Sequence, residues 1–377
     1  MKHLLVTNDF PPKVGGIQSY LWELWRRLDP NDVCVLTTPH GGATNWDATQ
    51  RYRIVRTRDR VLFPHPWLAR RINHLAAEHG AEVVLLDPAL PLGALVGSVD
   101  GPVGVVLHGA EITVPGRVPG LSQALGAVLR RADFVVAAGH YPLAEAERAA
   151  GRSLRSVVVP PGVDTDRFRP LDGAERDRVR SHLDLPADAT IVSSVSRLVP
   201  RKGMDVLIRA AAALGSDHPD LLVVIAGGGR DDGRLRRIAT DCGAPVRFLG
   251  RVSDENLPLV VGCSDLFAML CRDRWFGLEQ EGFGIVFLEA AAAGVAQIAG
   301  RSGGSHEAVE HRRTGLIVDD PTDVQAVAAT LAELLADPAR RRRYGAAARE
   351  RAVTAFSYDL LADQLANGIQ SLAGAPR

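Results

Sequence analysis

The chain has 377 residues, 46% of them hydrophobic, enough for two domains of ordinary size with real cores. Its 44 basic and 44 acidic side chains leave no net charge, which excludes the electrostatic footprint of a dedicated nucleic-acid binder. No stretch of about 18 uncharged apolar residues occurs, and the sequence opens on the strand-like Leu4, Leu5 and Val6 without a basic leader, so a soluble cytoplasmic protein is expected.

Short β-branched runs at 4–7, 33–37, 83–86, 103–107, 134–137 and 157–159 alternate with longer amphipathic stretches, the pattern of a parallel sheet with crossover helices. The turn-rich segment PPGVDTDRFRP (160–170) interrupts this pattern, which restarts with runs at 191–195, 222–226, 246–249, 266–270 and 295–299. Two α/β domains joined near 160–172 are therefore expected, followed by helices over 321–336, 339–355 and 360–372. Cys34, Cys242, Cys263 and Cys271 form no CxxC pair and read as reduced structural thiols. Only three basic residues are lysines, and two of them, Lys13 and Lys202, sit beside glycines in loops, where a compact ammonium acts differently from a guanidinium fork.

Ligands of open α/β sheets bind at the carboxyl ends of the strands. The first such loop, 8–18, ends in Gly15-Gly16 at the start of a helix whose apolar face includes Ile17, Tyr20, Leu21, Leu24 and Leu28. Backbone N–H groups there can approach a phosphate, although neither a Walker pattern nor GxGxxG is present. A second loop, 196–203, carries Arg197 and Lys202, two cations able to converge on a diphosphate. A third, EGFGIVFLEA (281–290), puts Glu281 on the loop and Glu289 two turns inside the following helix. Carboxylates so placed can accept hydrogen bonds from ligand hydroxyls while the N–H groups of Phe283, Gly284 and Ile285 face a phosphate; for Glu289 the alternative is an ion pair with a nearby arginine. No DxD-like pair ends a strand in the first half, so no metal is expected.

Taken together, Gly15-Gly16 after the first strand, Arg197 with Lys202-Gly203, and Glu281 with Glu289 resemble the retaining GT-B glycosyltransferases of family four, and the match runs nearly end to end. The segments TNDFPPKVGGIQSY (7–20), PPGVDTDRFRP (160–170), SRLVPRKG (196–203) and EGFGIVFLEA are most similar to the PimB-type subgroup, which uses GDP-mannose to extend phosphatidylinositol mannosides. The loop after His108 departs from that pattern: Ala110 follows Gly109 where a second histidine is expected, in a loop that faces the acceptor in the family.

The resemblance implies an α/β fold of two Rossmann-like domains, with mostly parallel sheets facing across a cleft: 1–169 on the acceptor side and 170–356 for the nucleotide sugar, with a helix in 357–377 crossing back onto the first. It implies a retaining transferase that moves mannose from GDP-mannose to a glycolipid in α-linkage, with no cofactor and no metal. Arg197 and Lys202 would stabilise the leaving diphosphate, Gly15 and Gly16 would approach its β-phosphate, and Glu281 and His108 would meet the transferred sugar. Glu289 would take the ribose hydroxyls, Arg251 and Val252 the base, and Asp9 and Gln18 the acceptor. Mixed arginine and apolar helices at 67–72 and 117–131 suggest peripheral docking on an anionic membrane at the inner face. A UDP-sugar donor, a soluble acceptor, and a GT-B sugar-nucleotide epimerase remain as alternatives. A Rossmann dehydrogenase is disfavoured because GxGxxG is missing, and a non-catalytic binding module because the polar loop residues are all present.

Overall fold

A computed structural model describes residues 1–374. The chain divides into two compact units, one from Met1 to Pro161 together with the segment beginning at Tyr358, the other Gly162–Ser357. Residues 162–169 thus pack in the second unit rather than ending the first.

In chain order the first unit contains β1 (His3–Thr7), α1 (Gly16–Trp25), β2 (Val33–Thr37), α2 (Ala43–Asp47), β3 (Arg53–Arg56), α3 (Pro66–His79), β4 (Val83–Asp87), β5 (Val103–Leu107), α4 (Ala110–Arg117), α5 (Leu121–Arg131), β6 (Phe134–Ala137), α6 (His140–Ala150) and β7 (Ser156–Val158). The second contains α7 (Gly173–His182), β8 (Thr190–Val195), α8 (Met204–Leu214), β9 (Leu221–Ala226), α9 (Asp232–Asp241), β10 (Val246–Gly250), α10 (Leu257–Gly262), β11 (Leu266–Met269), α11 (Ile285–Ala292), β12 (Ala296–Gly300), β13 (Gly315–Val318), α12 (Val324–Leu335) and α13 (Pro338–Ala355). The final helix, α14 (Tyr358–Ala373), belongs to the first unit.

Every strand pair is parallel, in the orders β3-β2-β1-β4-β5-β6-β7 and β10-β9-β8-β11-β12-β13. The central strands read as unbroken apolar runs because helices cover both faces. Their side chains alternate between two cores: Leu4 and Val6 pack on one side of the first sheet and Leu5 on the other, while Ile191 and Val192 divide likewise in the second. The two strands the sequence did not announce, β3 and β13, are both edges. The first, RIVR, is a short run bracketed by arginines and only partly buried; the second, GLIV, begins on glycine.

Local signals set the helix ends. Asp172 and Glu175 form a reciprocal cap at the start of α7, with hydrogen bonds of 2.8 and 3.0 Å. Helix α3 starts on Pro66 and stops at left-handed Gly80. Helix α14 docks through Tyr358, Leu361, Leu365 and Ile369 against Tyr20, Leu24 and Trp25, and the Arg27 guanidinium donates to Asp359 at 2.7 Å. Among the described residues no helix is long and apolar enough to cross a membrane.

Both sheets reverse their winding at one central pair, β1 beside β4 and β8 beside β11. The loops leaving these strands are where an open sheet can receive a ligand. They carry most of the polar residues singled out above.

Candidate active site

In the second unit the chain leaves β8 through 196–199 and makes a single 3₁₀ turn at Pro200–Lys202. Gly203 closes that turn at φ 68°, and a Cβ on it would lie 2.0 Å from the Leu270 carbonyl oxygen. Only glycine lets this turn lie flat against the end of β11. The result is a buried Lys202 whose Nζ donates to Glu281 Oε2 at 2.7 Å. Arg201 stands 3.6 Å from the same oxygen, and the Cys271 thiol points at it from 3.7 Å. Burial alone would push the Glu281 carboxyl up, but Lys202 and Arg201 outweigh it and hold the group below its ordinary range. Burial pushes the Cys271 thiol up to about 12, so it stays protonated and can donate.

Arg197 does not join this cluster. Its side chain is exposed and has no hydrogen bond or ion pair among the described residues, so the three cations of the 196–203 loop have different lots: Lys202 and Arg201 face the Glu281 carboxylate, and Arg197 is presented to solvent. Arg251, after β10, is also exposed, its stem crossing Gly228, where a Cβ would come within 2.8 Å of the arginine Nε. Val252 packs half-buried on the domain core.

The loop after β11 turns into α11 through Phe283 and Gly284. Phe283 is buried with its ring 5.9 Å from that of Phe356, and Gly284 caps the helix at φ 87°. The N–H groups of Phe283, Gly284 and Ile285 have no acceptor among the described residues, as a helix start requires. Glu289 lies one turn into α11, not two, because the helix begins only at Ile285. The residue is half-buried, but its Oε2 is shut off from solvent and has no hydrogen-bond partner among the described residues. Burial raises its pKa to about 7, against a smaller opposing pull from Arg167. Among the described residues no arginine pairs with it directly, so the ion-pair alternative is not seen there.

In the first unit, Gly15 sits extended before α1, and a Cβ there would lie 2.2 Å from Gln18 Oε1. The Gln18 amide folds across it and donates to Asp9 Oδ1 at 2.7 Å, so the two acceptor candidates form one unit, while Gly16 is the first residue of the helix. Lys13 is tied down within its own loop, donating to the Asn8 carbonyl at 2.6 Å.

His108, at the end of β5, hydrogen-bonds through Nε2 to Asp87 Oδ1 at 2.7 Å. Asp87 ends β4, stands in register with Thr7, and accepts the Thr7 hydroxyl at 2.5 Å on its other oxygen. Burial disfavours a charged imidazole here, but Asp87, with Glu111 and Asp9 further off, prevails and raises the pKa of His108. The Glu111 carboxylate turns back to accept from Gly109 N at 2.8 Å, so this loop is capped from within. We expect Asp87→Asn to lower the His108 titration, since burial then acts without its counter-charge; NMR of the imidazole measures it, and an unmoved titration would refute the coupling.

Sequence reasoning missed Asp87, Arg201, Cys271 and Glu111. For Asp87 a signal existed: an acid closing an apolar strand just before Pro88. Among the described residues no group of three or more His, Cys, Asp or Glu side chains is placed to hold a metal ion.

Residues 175–351 match the family model described as "Glycosyl transferases group 1". The chain is 41% identical over 376 residues to a GDP-mannose-dependent alpha-(1-6)-phosphatidylinositol monomannoside mannosyltransferase of Mycobacterium tuberculosis, covering 97% of each chain. It belongs to the group 1 glycosyltransferases. A Corynebacterium glutamicum relative, a GDP-mannose-dependent monoacylated alpha-(1-6)-phosphatidylinositol monomannoside mannosyltransferase, is 36% identical over 98% of each chain. Among solved structures, HepE of Anabaena in complex with UDP and glucose superposes with a TM-score of 0.80 at 21% identity, over 98% of this chain and 100% of that one, which establishes the GT-B fold. For this glycosyltransferase, the Lys202–Glu281 pair and the orphaned Glu289 carboxylate lie in the half that the family model covers.

Proposed function

We propose that this glycosyltransferase moves a mannosyl group from GDP-mannose to a phosphatidylinositol mannoside-type glycolipid, with retention and α-linkage. Near full-length similarity to two enzymes named for the same donor carries the reading. In the transfer, the bond from the sugar's anomeric carbon to the β-phosphate oxygen breaks and a bond to the acceptor hydroxyl oxygen forms on the same face. The acceptor's proton leaves on the phosphate. Negative charge develops on the diphosphate, and the buried ammonium of Lys202, with Arg197 and Arg201, supplies fixed positive charge there without a metal. Glu281, oriented by Lys202, receives sugar hydroxyls on its remaining lone pairs; Glu289, whose Oε2 lacks a donor, receives those of the ribose. His108, held by Asp87, meets the transferred sugar, and Asp9 with Gln18 the acceptor. Gly15 and Gly16 approach the β-phosphate, and Arg251 with Val252 lies toward the base.

We further propose that the enzyme works in the cytoplasm, peripherally on the inner face of the membrane. Val61, Phe63 and Trp67 are exposed beside the exposed Arg70 and Arg71, which fits an anionic surface. Helix α5 offers less, because Leu125 and Leu129 are buried in the core and Leu121 alone of its leucines is exposed with Arg130 and Arg131.

Thermal unfolding with GDP or UDP in the presence of EDTA tests the donor assignment. GDP at about a hundred times its Kd should stabilise the fold by about 2.7 kcal/mol, with UDP well behind. Stabilisation only after adding manganese, or a preference for UDP, would overturn it.

A further inference from the structure

The loop from β11 to α11 carries, just before Glu281, a tip of unusual character. Trp275 is 59% exposed, Phe276 is fully exposed, and Leu278 is 37% exposed. Both aromatic residues adopt positive φ, 51° and 55°, a region bulky side chains rarely enter. A small closed hairpin holds them there. Arg274 N donates to the Glu279 carbonyl at 3.0 Å, Glu279 N to the Arg274 carbonyl at 3.2 Å, and Leu278 N to the Trp275 carbonyl at 3.1 Å. The Arg274 guanidinium meets the Glu279 carboxylate at 2.9 Å and lies 4.8 Å from the Trp275 ring centroid. The backbone therefore aims the aromatic rings outward instead of letting them fold onto the unit.

The loop's charges are all engaged internally. Arg272 pairs with Asp205 at 2.9 Å, Arg274 with Glu279, and Asp273 accepts from Ser302 at 2.7 Å. What the tip offers is an apolar surface with a guanidinium stacked behind it; the loop's one charge without an opposite partner is the exposed Asp273 carboxylate, held by the neutral Ser302 hydroxyl and Gln280 amide among the described residues. A partner recognised by its negative charge, such as an acidic peptide or an anionic headgroup, finds nothing to pair with. The boundary between headgroups and acyl chains of a bilayer suits it, because tryptophan and phenylalanine partition there irrespective of lipid charge.

We propose that Trp275, Phe276 and Leu278 form a membrane-interface anchor that holds the loop carrying Glu281, and the start of α11 behind it, at the bilayer surface. Its use rests on the glycolipid reading: a headgroup tethered by its acyl chains is reached without extracting the lipid. The anchoring itself is independent of donor, acceptor and the arginines of α3.

The test is partition onto neutral phosphatidylcholine vesicles at high salt, which silences the α3 arginines. Wild type is compared with Trp275→Asn/Phe276→Gly, residues that tolerate positive φ, so the variant keeps or gains thermal stability. Partition of the variant should fall roughly tenfold or more, the scale of exposing a buried aromatic side chain, and the tryptophan quenching that brominated lipids cause in wild type should diminish. The variant should still transfer mannose to acceptor dissolved in detergent while losing transfer on vesicles. Equal partition of both proteins, no binding of wild type, or a wild-type dimer that the variant dissolves would overturn the proposal. Failure of both proteins to transfer in detergent would instead overturn the glycolipid reading.

Discussion

Lys202→Ala should lower kcat by roughly 10²- to 10³-fold, the scale of losing one preorganised donor to developing negative charge. It should also destabilise the second unit. Glu281 is largely shielded, its side chain 12% exposed, and its carboxylate relies on Lys202 at 2.7 Å, with Arg201 at 3.6 Å a poorer substitute. Removing one partner of a buried pair costs about 3–5 kcal/mol, and Arg201 should keep the loss toward the lower end. The pH dependence follows from the same pair. The Glu281 pKa in the folded protein lies below its ordinary 4.5, so the pair's contribution to stability is complete above that value and fades as pH falls through the lowered one. Glu281→Gln added to Lys202→Ala removes the stranded charge, and the double variant should recover stability without recovering turnover. Thermal melts and steady-state kinetics on the three proteins separate the effects. Turnover of the single variant within a few fold of wild type would remove Lys202 from the leaving-group role.

Glu289→Gln should act in opposite directions on the free enzyme and on its complex. The Glu289 carboxyl titrates at about 7 in the fold and at 4.5 when exposed, because burial disfavours its charge. A raised folded pKa means the native state holds the proton more tightly, so stability is full below pH 4.5, declines as pH rises to about 7, and stays reduced beyond. The loss amounts to about 3 kcal/mol at 1.36 kcal/mol per unit. Glutamine carries no such charge, and the variant should be more stable than wild type by that order at pH 8. Its affinity for GDP-mannose should nevertheless fall roughly 10- to 100-fold, since hydrogen bonds from hydroxyls to an ionised carboxylate are the stronger kind. Wild type should also release a proton on binding nucleotide near neutral pH, which calorimetry in buffers of differing ionisation enthalpy detects. A glutamine variant that binds GDP-mannose like wild type would leave Glu289 without a ligand role.

The residues of the site were more legible in the sequence than their partnerships. His108 announces itself at the end of an apolar strand, Lys202 and Glu281 beside glycines in the loops that follow strands, and Glu289 as a lone acid within an apolar helix; the strand runs are plain because parallel strands are buried on both faces. Edge strands β3 and β13 escape notice because one flank faces solvent or glycine weakens the pattern. Partnerships depend on strand order. Lys202 and Glu281 are 79 residues apart and meet because β8 lies beside β11, and Thr7 reaches Asp87 because β1 lies beside β4. A single chain does not reveal which run is the neighbour of which, so Lys202 reads beside Arg197 in sequence and stands with Glu281 in the fold.

Transfer is followed by supplying GDP-mannose labelled in its sugar together with a phosphatidylinositol mannoside and tracing the label into organic solvent. The enzyme should move label into the lipid with one GDP released per mannose, in EDTA, and NMR of the product should show the new linkage as α. Label that stays in the aqueous phase as free mannose, or a lipid product formed only from a UDP-sugar, would contradict the account.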